Sequence, residues 1–243
     1  PGSRGAPRWA SLWASVRRIA PLAWPVLVGQ IAVLAFATVD TLLVSRASPG
    51  DLAALAVGGA AYITVFIGLN GVVLALSPIV GQLFGAQRYA DAGRQVHQAL
   101  WVAMALALLG SAVLVFPAPF LALAKLQPEV EAKVRGYLLV LAFSLPASML
   151  FTVYRGFNTA VSRPKAVMVI QVSALLVKVP LSSALVFGLP ALGLPALGVQ
   201  GCAVATACAM WAQVLAAATV MRRDPFYARF ALWGRGLDRP QRA

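Results

Sequence analysis

Charged residues are widely spaced along this chain, and the sequence between them is almost entirely apolar. Apolar runs lie between Arg18 and Asp40, Asp51 and Arg88, Arg94 and Lys125, and Arg135 and Arg155, then from Pro164 to Gly188 and from Leu197 to Met221. These runs are continuous and rich in Ala and Leu. They lack the strict alternation of barrel strands, so they predict helices. Each reaches the roughly 20 residues that a spanning helix needs, allowing for frayed ends. The expected fold is all-α and integral to the membrane: a six-transmembrane-helix bundle over 19–222, with spans at 19–45, 52–84, 95–116, 136–156, 165–188 and 197–221. The third span is expected to break near Pro117 and Pro119. Residues 1–18 and 223–243 flank the bundle. In the first flank Trp9, Leu12, Trp13 and Val16 form a helical apolar stripe. Phe226, Phe230 and Trp233 form another in the second. Such stripes lie either in the membrane surface or against the protein itself. Gly188 to Gly198 reads GLPALGLPALG, a connector rich in Pro and Gly.

Composition narrows the class. Of 243 residues, 60% are hydrophobic and 11% charged, and the mean hydropathy is +0.82. Soluble domains carry about 25% charged residues. In hydrocarbon every backbone polar group must be paired internally, which helices achieve. The net charge of +13 does not point to nucleic acid, because the Arg residues sit singly or in pairs between spans. They read as topology signals and as contacts for membrane lipid. With the N-terminus in the cytoplasm, fifteen Lys and Arg residues fall on inner segments and four on outer ones, Arg46, Lys125, Lys133 and Arg135. Arg155, Arg163 and Lys165 count among the inner set. Both chain ends are therefore expected to be cytoplasmic. Cys202 and Cys208 lie about 9 Å apart along one helix, too far for a disulfide. No metal-ligand cluster and no enzyme constellation is present, so neither an enzyme nor a cofactor is expected. No cleavable signal pattern appears, and the absence of a starting Met reads as a trimmed chain or a fragment.

The candidate chemistry sits inside the spans. Asp40 is the only acidic residue within one, and Lys178 the only basic one. Ionisable groups at such depth cost at least about 2.5–3.5 kcal/mol, and they pair, face cavities or handle ions. Asp40 lies about 9 Å below the outer end of its helix and Lys178 about 15 Å, a difference a Lys stem can bridge. Pro21, Pro25, Pro146 and Pro180 fall within spans; Pro25, Pro146 and Pro180 are candidate hinges, since proline removes a helix hydrogen bond. Asn70 and Gln30 are candidate polar positions in a cavity, and Gly71 beside Asn70 allows a close helix contact. His97, the only His, is expected to be solvated or to cap the third helix.

At these residues the chain resembles the multidrug and toxic compound extrusion family, the MATE transporters, and specifically their N-terminal six-helix lobe. The matching pieces are LAWPVLVGQIAVLAFATVDTLLVS, LAALAVGGA, SPIVGQLFGAQR, YLLVLAFSLPASML, RGFNTAVSRPK, LVFGLP and LGVQGCAVATACAMW, in this order between about Ala20 and Arg223. The resemblance implies twelve helices in two six-helix lobes around a cavity, with 223–243 as the cytoplasmic inter-lobe linker. It implies efflux of drug-like organic cations or amphiphiles across a bacterial inner membrane, driven by inward H⁺ or Na⁺. A second lobe would be the partner, from the same chain or another. The family's first-helix Asp maps onto Asp40, a fifth-helix Asn onto Lys178, an acidic position in some members onto Ser182, and a sixth-helix Thr onto Thr206. Lys178 departs from that pattern, placing an ammonium where a bound Na⁺ would lie, so H⁺ is the expected coupling ion. A lipid-linked substrate flippase of the same superfamily and a non-transporting six-helix partner are the alternatives.

Overall fold

Caps and prolines set the helix boundaries. The computed structural model describes residues 8–124, 126–188 and 195–232. The segments are α1 (Arg8–Ser45), α2 (Pro49–Leu74), α3 (Leu76–Gly85), α4 (Tyr89–Val115), α5 (Ala118–Ala124), α6 (Pro128–Ala160), α7 (Pro164–Phe187) and α8 (Val199–Arg223), followed by a 3₁₀ turn at Pro225–Phe230. Ser48 caps α2 by accepting a hydrogen bond from the Asp51 amide at 3.0 Å, with Pro49 at the first helical position. α3 and α6 end alike. In each, a residue of positive φ, Gln87 or Ser162, turns the chain. The next amide then reaches back to the helix, Arg88 to the Leu83 carbonyl at 2.9 Å and Arg163 to the Asn158 carbonyl at 2.8 Å. This is the Schellman pattern, here without glycine.

Six helical stretches are long and apolar enough to cross a membrane: Ile19–Ser45, Pro49–Gly85, Tyr89–Val115, Pro128–Ala160, Pro164–Phe187 and Val199–Arg223. The six-span bundle is therefore present, with bounds that differ from the sequence reading for physical reasons. The second span is two helices, because Pro78 has no N–H for the Leu74 carbonyl and its ring crowds that carbonyl. α4 and α6 begin earlier than charges alone suggest. Their charged first turns are held in ion pairs, Asp91 with Arg88 and Arg94, Glu129 with Lys133, and Glu131 with Arg135. α6 also runs on to Ala160, which puts Arg155 more than a turn inside the span rather than at its end. Helix α1 starts at Arg8 and continues unbroken into its span. The side chains of the Trp9, Leu12 and Trp13 stripe, most of the GLPAL connector and Trp233 lie outside the described parts.

α6 is the central helix, packed against α2, α4 and α8, while α1 lies on α7 and α7 on α8. Leu138, Leu145, Met149 and Phe157 of α6 are fully buried. Close approach depends on small residues, as in other membrane bundles: a Cβ at Gly58 of α2 would stand 2.6 Å from the Tyr137 ring of α6. The outer surface is apolar, with Leu34, Leu108, Phe143, Leu176 and Leu215 exposed as hydrocarbon-facing groups would be. Prolines inside helices leave carbonyls free, and one of these finds a new donor. Pro146 cannot bond the Ala142 carbonyl, and Ser111 of α4 donates to that oxygen at 2.6 Å.

One end of the bundle gathers the turns at 86–88 and 161–163 with the segment after α8. That segment docks onto the protein. Asp224 pairs with Arg163. The Phe226 amide, and after it Arg163, holds the Asp224 carboxyl below its ordinary value. Tyr227 donates to Asn158 at 2.6 Å, and Phe230 is buried against Phe84, Tyr89 and Phe157. The Phe230 carbonyl lies directly over Gly93, where no Cβ would fit. The Phe226 and Phe230 stripe thus faces the protein. His97 is not solvated and caps nothing. It is 5% exposed, and its Nε2 lies 3.0 Å from the Leu232 carbonyl. The docked segment covers the first turns of α4, which removes the water that a helix start would otherwise meet.

Candidate functional site

Asp40 and Lys178 meet. The Lys178 Nζ donates to Asp40 Oδ2 at 2.6 Å and lies 3.5 Å from the Phe36 carbonyl. Phe36 stands one turn before Asp40 on α1, and its ring centroid is 4.5 Å from the same ammonium. Carboxylate, carbonyl and aromatic face therefore surround one cation. Lys178 is 1% exposed and Asp40 8%. The helices explain the meeting: α1 and α7 lie side by side, so charged groups at similar depth face each other.

The rest of the predicted set divides in two. Ser182 follows Lys178 by one turn of α7, and its hydroxyl is buried without a hydrogen-bond partner among the described residues. Thr206 of α8 also faces Asp40, as does the Cys202 thiol. The Thr206 hydroxyl is committed to the Cys202 carbonyl at 3.0 Å. Asp40 Oδ1 is left buried without a hydrogen-bond partner among the described residues. Pro180 lies two residues beyond Lys178, and α7 continues as helix through it. α1 and α6 likewise run through Pro21, Pro25 and Pro146. Asn70 does not join the pair; its Oδ1, on α2, is buried without a hydrogen-bond partner among the described residues. Phe36, Cys202 and Tyr137, the last within electrostatic range of Asp40, escape the sequence reading. Apolar and weakly polar residues in apolar helices give no sign of what they face. Among the described residues no group of three or more His, Cys, Asp or Glu could hold a metal. Cys202 is buried, Cys208 is exposed, and both are free.

Pro25 and Gln30 belong elsewhere. They line a second cavity of about 300 Å³ with Ser77, Arg155, Thr159 and Gln171. It lies between α1, the α2–α3 break, α6 and α7, towards the end that carries the docked segment. Gly29 of α1 makes room for the Gln171 amide, which rests on it.

Two charges paired at depth inside a helical bundle attract each other only while the carboxylate is ionised. A proton on the carboxylate would cancel the attraction, and an ammonium beside it excludes a second cation from the same space. Family comparison gives this arrangement its context. Residues 25–183 match the family model described as MatE. The chain is 39% identical over 214 residues to a probable multidrug resistance protein NorM of Aromatoleum aromaticum, covering 87% of this chain and 45% of that one. It is 34% identical over 234 residues to the multidrug resistance protein PmpM of Pseudomonas aeruginosa, covering 95% and 48%. The chain thus spans about half the length of these relatives. The fold is that of the eukaryotic MATE transporter AtDTX14, with a TM-score of 0.82 at 17% identity, covering 93% of this chain and 49% of that one. The Vibrio cholerae MATE transporter VcmN in its bent form gives 0.78 at 20% identity, covering 88% and 48%. With a family model over most of its length and a six-helix bundle matching one half of those structures, this chain is a multi-pass membrane protein that belongs to the MatE family of multidrug and toxic compound extrusion transporters.

Proposed function

We propose that this chain forms the N-terminal half of a secondary efflux transporter in a bacterial inner membrane. It exports drug-like organic cations or amphiphiles in exchange for protons that enter through Asp40. The names of the relatives support multidrug efflux. The observation that favours H⁺ over Na⁺ is the buried contact of Lys178 with Asp40 at 2.6 Å. The ammonium takes the place beside the carboxylate that a coupling cation would need. Ser182, at the family's occasional acidic position, adds no charge to recruit one.

The sequence of events follows from the groups present. A proton arriving at Asp40 neutralises the carboxylate and releases Lys178. The ion pair between α1 and α7 is lost, and only the weaker contacts of the ammonium with the Phe36 ring and carbonyl still join the two helices there. The helix positions at Pro25, Pro146 and Pro180 lack one backbone bond each and bend at low cost. Alternating access needs such a two-state element biased by the coupling ion. A second six-helix lobe supplies the other wall of the substrate path, and the segment after α8 leads towards it. Positive charge gathers at the end with the docked segment, so that end faces the cytoplasm. The test is Asp40→Asn in the full-length transporter, reconstituted in vesicles with an imposed pH gradient. The amide keeps the size and cannot carry the proton. Efflux driven by the gradient is expected to fall at least about tenfold while folded yield is retained. Undiminished proton-driven efflux removes Asp40 from the mechanism.

A further inference from the structure

Every carboxylate among the described residues is held in an ion pair. Asp40 holds Lys178, Asp51 and Glu129 hold Lys133, Asp91 holds Arg88 and Arg94, Glu131 holds Arg135, and Asp224 holds Arg163. Those six residues are all the carboxylates among the described residues. None is left for Arg155. Arg155 stands five residues before the end of α6, half-buried in the second cavity, and no charged group of the described chain acts on it. A guanidinium at membrane depth carries a cost that a partner normally offsets.

Its neighbours are donors. Gln171 lines the same cavity, is 5% exposed, and makes no hydrogen bond with any described residue. Gln30 and Ser77 line it too. The first turn of α7, a helix of 24 residues beginning at Pro164, opens at its edge, where unpaired amides favour negative charge. Facing walls are apolar, from Val26, Leu74 and Met168. A planar guanidinium fork, amide N–H groups and a hydroxyl converge on one apolar-walled space with no carboxylate among them. Such a set complements an oxyanion on an apolar tail.

We propose that this cavity is a binding site for the carboxylate or phosphate end of an amphiphile, held by Arg155 and Gln171. The chemistry fits two sources, the phosphate of an anionic lipid headgroup and the acid group of a free amphiphile. It is separate from Asp40, and Asp40→Asn leaves this binding intact, so the site stands or falls independently of proton-coupled efflux.

The test uses the intact membrane protein in phosphatidylcholine nanodiscs, with empty discs subtracted. Octanoate, octyl phosphate and octylammonium share one tail and differ in the head. Calorimetry is expected to show the two anions binding at least about tenfold tighter than the ammonium. Arg155→Gln abolishes that preference, Arg155→Lys keeps part of it, and Gln171→Leu reduces it. A merely structural lesion would weaken all three ligands together, so the ratio of anion to ammonium is the readout. Discs containing phosphatidylglycerol separate the sources. If the headgroup is the occupant, phosphatidylglycerol competes with octanoate, and native mass spectrometry finds it retained by the natural protein and lost from Arg155→Gln. If a free amphiphile is, phosphatidylglycerol leaves octanoate binding unchanged. The proposal is overturned if the anions bind no better than octylammonium and phosphatidylglycerol is retained equally by both proteins. It is equally overturned if a folded Arg155→Gln keeps the full anion preference.

Discussion

Lys178 limits what else can approach the Asp40 carboxylate. Its Nζ occupies one oxygen, while Oδ1 remains without a hydrogen-bond partner. Removing the ammonium therefore frees both oxygens of the carboxylate. A carboxylate stripped of a contacting cation takes up its proton more readily, so Lys178→Ala is expected to move the pH profile of efflux upward. Lys178→Asn supplies an oxygen ligand of the kind hard cations prefer, and some Na⁺ dependence is expected to appear with it. Efflux against pH from vesicles, with and without a Na⁺ gradient, measures both. A natural protein already driven by Na⁺, together with an unmoved profile for Lys178→Ala, would show that the pair plays no part in coupling. At this scale the sequence was readable where chemistry was rare. Asp40 and Lys178 stand out because ionisable residues seldom interrupt apolar runs. His97 gave no comparable signal: its partner is the Leu232 carbonyl, 135 residues away, and backbone atoms leave no trace in residue identity. Arg155 was legible as a charge but not as a neighbour of Gln171, because it only closes an apolar run when charges are taken as the ends of spans.

Helices follow apolar length more faithfully than they follow charge. Six spans could be read from the runs between charges, yet α6 covers 33 residues because ion-paired turns extend it beyond its apolar part. The break between α2 and α3 was present in the sequence as Pro78, and needed only the proline rule applied to the carbonyl four residues back. Contacts between elements stayed hidden, since they depend on which faces meet. Ser111 shows how one helix repairs another: its hydroxyl satisfies the Ala142 carbonyl that Pro146 leaves free. Ser111→Ala is expected to cost about 0.6 kcal/mol, and at most about 1.7. Pro146→Ala restores the helix's own donor, so the same Ser111→Ala change should then be close to neutral. Unfolding by sodium dodecyl sulfate titration of both single variants and the double variant gives the coupling between them. Additive losses would mean that Ser111 serves some purpose other than the proline's vacancy.

For the whole molecule the alternation of ends is the main geometric result. The turns at 86–88 and 161–163 share an end with the docked segment, as the Arg163–Asp224 pair and the packing of Phe230 on Phe84 require. Lys133 and Asp51, in ion contact at 3.3 Å, mark the opposite end. With the natural cysteines replaced by serine, Ala47→Cys is expected to react with a membrane-impermeant maleimide from outside intact cells. Ala90→Cys is expected to react only after permeabilisation. The reverse pattern would invert the proposed orientation while leaving the fold untouched. The chain spans about half the length of its relatives, and under the proposed function its apolar-faced bundle would form one wall of a two-walled path. The docked segment at 225–232 also bears on synthesis. Its socket is made from α3, α4 and α6, all of which leave the ribosome before Pro225 does. The plug thus follows its socket in the order of synthesis, and seating it fastens the end of α8. The order of residues along the chain therefore matches the order in which this end of the bundle can be assembled: helices first, plug last.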